Sequence, residues 1–290
     1  MRRCGRSGFG DLLAALALAG AALRLLSPSC LAAETTEPAS LDRGYQMMYN
    51  LDFSSAARFF ATWQASRPGD PLGPISEAAN ILFSELDRLG VLEAQFLVND
   101  EEFLARPEVF PDREARARLV AALARGESRA LERLRTTPRD ADALFALTLV
   151  HGLRADHAAL VENRNLAALK ETRRASQWAK KLLAVAPGRE DAYLATGIGK
   201  YLVGSTVAPV RWILRLAGYE GDKEQGIREL ERAAEGGRYL APFARLLLAI
   251  AYLREDDPAR ARQLLVGLGE EFPANPLYAR EISRIDARRK

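Results

Sequence analysis

The 290-residue sequence predicts an all-α chain: a solenoid of helical hairpins with inserted helices, preceded by a signal helix. Three observations lead there. Past residue 34 no alternating apolar–polar run of useful length occurs, while long Ala/Leu/Arg/Glu stretches repeat apolar residues every three or four positions, the helical period. Helix starts and stops are marked by capping residues and prolines. A set of small, large and proline positions recurs at fixed offsets. With 48% hydrophobic and 27% charged residues the chain can bury a core, and its composition is neither disordered, collagen-like nor polytopic.

The first element reads as an export signal over residues 1–33. Arg2, Arg3 and Arg6 form a positive n-region, residues 12–26 an Ala/Leu-rich h-region short for a membrane span, and Ala32 and Ala33 a cleavage site. Retention as an anchor and lipidation at Cys30 are the alternative fates, although Ser27-Pro28-Ser29 makes a poor lipobox. The expected location is the bacterial periplasm or cell envelope. The leader holds both cysteines, four arginines and one acid, so the net charge of +3 falls to zero without it. A neutral, thiol-free remainder gives no footprint for nucleic acid and no set of cysteines for a disulfide framework or a zinc site. No cofactor is implied. Residues 34–290 are read as one domain.

Helix boundaries follow from cap chemistry. Asp70-Pro71, Asp257-Pro258 and Asn275-Pro276 each offer a side-chain acceptor followed by a proline, and Asp222 with Gln225 has the spacing of a capping box. Gly/Pro clusters at 67–70 and 186–188 end the preceding helices.

Two segments then repeat one pattern. Gly44, Phe53, Ala56, Phe60 and Pro68 have the same mutual spacing as Ala249, Pro258, Ala261, Leu265 and Pro273. A small residue on the first helix admits the second, Ala and a large apolar residue one turn later fill the contact, and Pro stops the unit. Further units are degenerate: 141–187 with Thr148, Ala175 and Ala179; 190–233 with Tyr193, Gly197, Gly226, Leu230 and Ala233; and one from Pro71 recognisable in its first helix. A helical bundle shares part of this pattern. Helix 276–288 with its basic end reads as a cap.

These offsets resemble those of the tetratricopeptide-repeat superfamily over most of residues 37–288, and the chain looks like bacterial tetratricopeptide proteins without an assigned activity. The run from Gly204 to Leu214, and then Gly218-Tyr219-Glu220-Gly221-Asp222-Lys223 to Gly226, is similar to a motif of the eukaryotic inclusion-body-clearance tetratricopeptide family. The resemblance implies a stacked-hairpin fold and no catalysis.

In that register the first helices line a concave face. Tyr45, Met48, Phe145, Leu149, Ile198, Tyr201 and Ile250 are the candidate binding residues, an apolar and aromatic set. They suit an apolar or helical segment of a partner. Segments 84–112 (with Phe96, Phe103 and Phe110) and 204–221 (with Val207, Val210, Trp212 and Leu216) are apolar enough to cover them, and this covered arrangement is the one expected. Segment 207–217 also has the one-sided pattern of an interfacial membrane helix, with Arg211 and Arg215 flanking, though packing on the solenoid is the expectation.

No catalytic constellation stands out. His151 and His157 are six apart, a poor helical spacing for shared metal ligation. An acid–base role with Asp156 or Glu162 is the remaining enzymatic reading. The sequence therefore points to a non-catalytic protein-interaction or assembly scaffold of the envelope, with a carrier of a small apolar ligand or lipid, closed in by 84–112 and 204–221, as the alternative.

Overall fold

The computed structural model describes residues 40–92 and 110–288, so the leader and the aromatic residues Phe96 and Phe103 lie outside the described residues. Among the described residues there are twelve α-helices and no strand. They are α1 (Leu41–Tyr49), α2 (Phe53–Ser66), α3 (Leu72–Arg88), α4 (Arg113–Thr136), α5 (Ala141–Asp156, continued by a π-turn His157–Val161) and α6 (Asn165–Val185). There follow α7 (Ala192–Gly204), α8 (Ala208–Leu216), α9 (Lys223–Gly236), α10 (Ala241–Arg254), α11 (Pro258–Glu271) and α12 (Pro276–Arg288).

Capping chemistry places the starts. Asp52, Asp112, Asp140, Asp222 and Asp257 each accept a hydrogen bond from a backbone N–H of the first turn, as do Asp70 (from Leu72 N, 2.8 Å) and Asn275 (from Leu277 N, 3.0 Å). Gln225 does not complete a reciprocal box; its side chain donates to Glu229 instead, at 3.0 Å.

Each helix packs on the next along the chain, except that α9 packs on α7 across the small α8. Two kinds of helix alternate. In the outer ones one stripe is buried: Ala56, Phe60 and Trp63 in α2; Gly226, Leu230 and Ala233 in α9; Ala261, Leu265 and Leu268 in α11. These are the i, i+4, i+7 positions of a helix with one wet face. The inner helices are buried on several sides: thirteen of the seventeen residues of α3, and an unbroken run from Ala143 to His151 in α5. The stretch Ala141–Val161 is long and apolar enough to cross a membrane by composition, but it is mostly buried inside the protein, as a core helix is.

Close helix crossings depend on glycine. A Cβ on Gly44 would meet Phe60 at 2.3 Å, and one on Gly226 would meet the Tyr201 backbone nitrogen at 2.6 Å, with Gly197 O at 2.8 Å. Gly197 and Gly226 therefore face each other where α7 and α9 touch.

The two ends of the described chain meet. α1 lies against the turns before α10 and before α12: the Tyr49 hydroxyl donates to Tyr239 O (2.9 Å), Asn275 Nδ2 donates to Tyr49 O (2.9 Å), and Ala274 N donates to the Asn50 side chain (3.1 Å). Arg238 adds an ion pair to Asp42 at 2.8 Å. The inner helices α1, α3, α5, α7 and α10 thus enclose a common interior.

Candidate functional site

That interior contains a cavity of about 440 Å³. This lies within the ~300–1,000 Å³ range of small-molecule pockets. Its wall is mostly side chains of the inner helices: Tyr45, Met48 and Tyr49 from α1, Ile75 and Phe83 from α3, Leu149 and Leu153 from α5, Ile198 from α7, and Leu246 and Ile250 from α10. α6 contributes Ala168, Leu169 and Thr172.

Six of the seven residues singled out from the sequence border this cavity: Tyr45, Met48, Leu149, Ile198, Tyr201 and Ile250. Phe145 does not. It is fully buried, with its ring stacked on Tyr239 (centroids 6.1 Å apart) and the Arg189 guanidinium over the same ring at 5.1 Å. α3 also lines the wall, although the unit starting at Pro71 contributed no residue to the sequence-derived set. The burial of α3 on several sides is the signal that marks it as inner.

The cavity has two unlike ends. At the amino-terminal ends of α5, α7 and α10 the lining rings of Tyr45 and Tyr49 are backed by further aromatic rings. Tyr239 stacks on Tyr45 with centroids 5.1 Å apart, Tyr45 meets Phe60 edge-on at 5.6 Å, and Tyr49 meets Phe272 at 5.4 Å. Asp191, 3% exposed, fixes this end by accepting from Tyr239 N (2.9 Å) and Leu240 N (2.8 Å). Burial raises the Tyr45 phenol well above its ordinary range and does the same to Tyr49, so both rings stay neutral.

At the carboxy-terminal ends of the same helices the wall carries Asp156, Tyr201 and Arg254. Leu202, 47% exposed, also borders the cavity at this end. Burial pushes the Asp156 carboxyl up to about 7. Its cause is desolvation alone, because an apolar enclosure disfavours the charged form. The Tyr201 hydroxyl is buried without a well-formed hydrogen bond.

The segment expected to lie across the concave face, 204–221, does not. Gly204 lies against the Lys223 backbone and Gly221 against Val203, so the ends of the insertion meet and α8 projects outward. Arg211 donates to Gly204 O (2.9 Å), Arg215 to Gly221 O (3.0 Å) and Arg173 of α6 to Ala217 O (2.9 Å). These bonds hold the two ends of α8 and leave Val207, Val210, Trp212, Ile213 and Leu216 exposed. The expected packing on the solenoid is thus corrected: pinned termini and a short helix leave the apolar face without a protein surface to meet.

Of the histidine–acid pairings read from the sequence, the structure brings His157 within 3.9 Å of Glu162, while Asp156 stands apart in the cavity wall. His151 pairs with Glu171 of α6 at 2.7 Å. His157 faces the other side of α5, toward Arg116 and Glu162, where burial lowers its pKa. Asp156 faces the cavity. Among the described residues no group of three or more His, Cys, Asp or Glu side chains is placed to hold a metal ion. No protein-family model matches the chain, and no curated protein matches it.

Proposed function

We propose that this protein is a non-catalytic carrier that holds a small apolar ligand or lipid inside a tetratricopeptide-like solenoid whose ends meet. The observation that carries this reading is the cavity itself: about 440 Å³, walled by aliphatic and aromatic side chains of five inner helices. Interiors are normally packed without such voids, and an empty apolar space forfeits the contacts its lining could make. An apolar guest restores them. The hairpin order, the repeated small–large–proline offsets and the glycine crossings support the solenoid description. The leader read at residues 1–33 supports a place in the cell envelope.

Titration with the neutral apolar dye N-phenylnaphthylamine tests the reading. Saturable binding with blue-shifted emission is expected, and Ala195→Phe, which fills the lining from α7, should weaken it. Absence of saturable binding to the wild type contradicts the carrier.

A second reading, an interaction and assembly module of the envelope, is favoured by α8. Its exposed face joins Trp212 to Val210, Ile213 and Leu216, and residues 205–219 contain Arg211 and Arg215 but no acid. That combination suits an anionic lipid surface. Flotation with vesicles containing phosphatidylglycerol, lost with Trp212→Ser and Ile213→Ser together, supports it; equal flotation of both proteins contradicts it.

A further inference from the structure

α8 leaves the fold at the carboxy-terminal end of α7, where Leu202 borders the cavity. A second hollow lies between the two. It is a surface crevice of about 110 Å³ between α6 and α7, and Leu169, Thr172 and Leu202 line both it and the cavity. A single layer of side chains therefore stands between chamber and crevice. That layer is thin because α7 opposes Thr172 with Gly199: a Cβ placed there would still be 3.5 Å from Thr172 Cγ2, an ordinary contact. It is also untied. Among the described residues no hydrogen bond or ion pair joins Leu169, Thr172 or Leu202 across the seam, and the Thr172 hydroxyl donates within α6, to Ala168 O (3.0 Å). Side chains held only by apolar contact part more readily than bonded ones.

The outer wall of the crevice is formed where α8 ends. Gly218 and Tyr219 follow α8 directly, and Arg173, which lines the crevice, donates to Ala217 O and lies over the Tyr219 ring. The neighbouring surface is apolar. Of the ten large apolar side chains exposed among the described residues, six fall within 202–216: Leu202 and the five carried by α8 and its first turn. Such concentration marks an interaction surface, whereas scattered apolar residues do not. Its charge selects the occupant. Arg173, Arg211 and Arg215 donate to carbonyl oxygens, which leave a cation's charge uncompensated. The acids beside them are engaged elsewhere: Glu220 with Lys180, Glu255 with Lys223, Glu224 with Arg228, and Asp222 with the first turn of α9. A basic rim around an exposed apolar helix fits anionic headgroups above acyl chains.

We propose that the protein exchanges its guest directly with an anionic phospholipid bilayer: α8 lies in the headgroup layer, and the guest passes through the α6–α7 seam at Leu169, Thr172 and Leu202. The proposal rests on the carrier reading and gives the chamber a donor and an acceptor. An apolar guest that leaves a bilayer through water exposes all of its apolar surface on the way. A seam that opens beside a membrane-bound helix removes that step.

The test uses the full chain and 1-hexylpyrene in donor vesicles, whose excimer emission falls as the probe moves to the protein. Binding of N-phenylnaphthylamine without vesicles reports the chamber alone. Transfer should be about tenfold or more faster from vesicles containing phosphatidylglycerol than from pure phosphatidylcholine, as several arginines near an anionic surface imply. Trp212→Ser with Ile213→Ser should slow it by about tenfold or more while leaving dye affinity within about twofold. The seam is closed by Thr172→Cys with Gly199→Cys in a Cys4→Ser, Cys30→Ser background. The disulfide should arrest transfer, and reduction should restore it. If the two thiols stay unpaired, Leu202→Trp, which thickens the same layer, takes their place and should slow transfer. Transfer indifferent to lipid charge, to the α8 pair or to the closed seam overturns the inference. So does a homo-oligomer that the α8 pair dissolves, because a second copy would then cover α8. Dye binding alongside any of these results leaves the carrier standing; no dye binding removes both.

Discussion

The two ends of the cavity are built from the same five inner helices yet follow opposite rules. At the amino-terminal ends Asp191 holds two backbone N–H groups, the Tyr49 hydroxyl donates to a carbonyl, and rings pack between them. At the carboxy-terminal ends the Tyr201 hydroxyl is buried without a well-formed partner, Asp156 borders the cavity and Leu202 is half exposed. The first end behaves as structure and the second as a site. The contrast separates stability from function along one axis of a single fold, so substitutions at the two ends should have different signatures.

The largest effect belongs to the aromatic end. Tyr239→Ala removes the ring that stacks on both Tyr45 and Phe145 and should cost about 3–5 kcal/mol in denaturant unfolding. A loss below about 1 kcal/mol would mean that the ends of the chain are not joined through this ring.

Asp156→Asn should act with the reverse sign. The folded carboxyl titrates near about 7, and an unfolded one near about 4. Its contribution is fully present below about pH 4 and is lost as pH rises through about 7, because the unfolded chain gives up the proton first. The Asn variant should therefore match the wild type at pH 4 and exceed it by about 1–4 kcal/mol at pH 8. Melting temperatures across that range check it, and an unchanged difference between the two proteins would place Asp156 in water.

Gly226→Ala probes the α7–α9 crossing, where a Cβ would meet backbone at 2.6 Å. It should cost about 1–3 kcal/mol without altering binding of the apolar dye. The smallest effect is expected outside the cavity altogether. Trp212→Ser on α8 should leave stability within about 0.5 kcal/mol, since the side chain is 64% exposed. A large loss in unfolding experiments would show that α8 packs against the protein in solution.

Much of the framework was legible in sequence. Asp-Pro and Asn-Pro pairs mark helix starts because capping is local, and Gly44, Phe60, Gly226 and Leu230 mark crossings because close approach needs a missing Cβ opposite a large side chain. The site was legible only in part. Tyr45, Leu149 and Ile198 share the inner face by register alone. The meeting of α1 with the turns at 237–240 and 272–275 joins residues about two hundred positions apart, and no local pattern encodes it. Asp156 was read from the sequence only as an acid beside a histidine; its enclosure depends on helices distant in the chain. The course of 204–221 was misjudged because its apolar content suggested cover, whereas the glycines at 204 and 221 bring its ends together.

Native mass spectrometry of the protein purified without detergent addresses the apolar chamber most directly. A chamber that carries a guest should yield a one-to-one apolar adduct, released by organic extraction, regained on adding N-phenylnaphthylamine, and diminished in Ala195→Phe. A bare polypeptide mass that stays bare at saturating N-phenylnaphthylamine, with Ala195→Phe indistinguishable from the wild type, would contradict it.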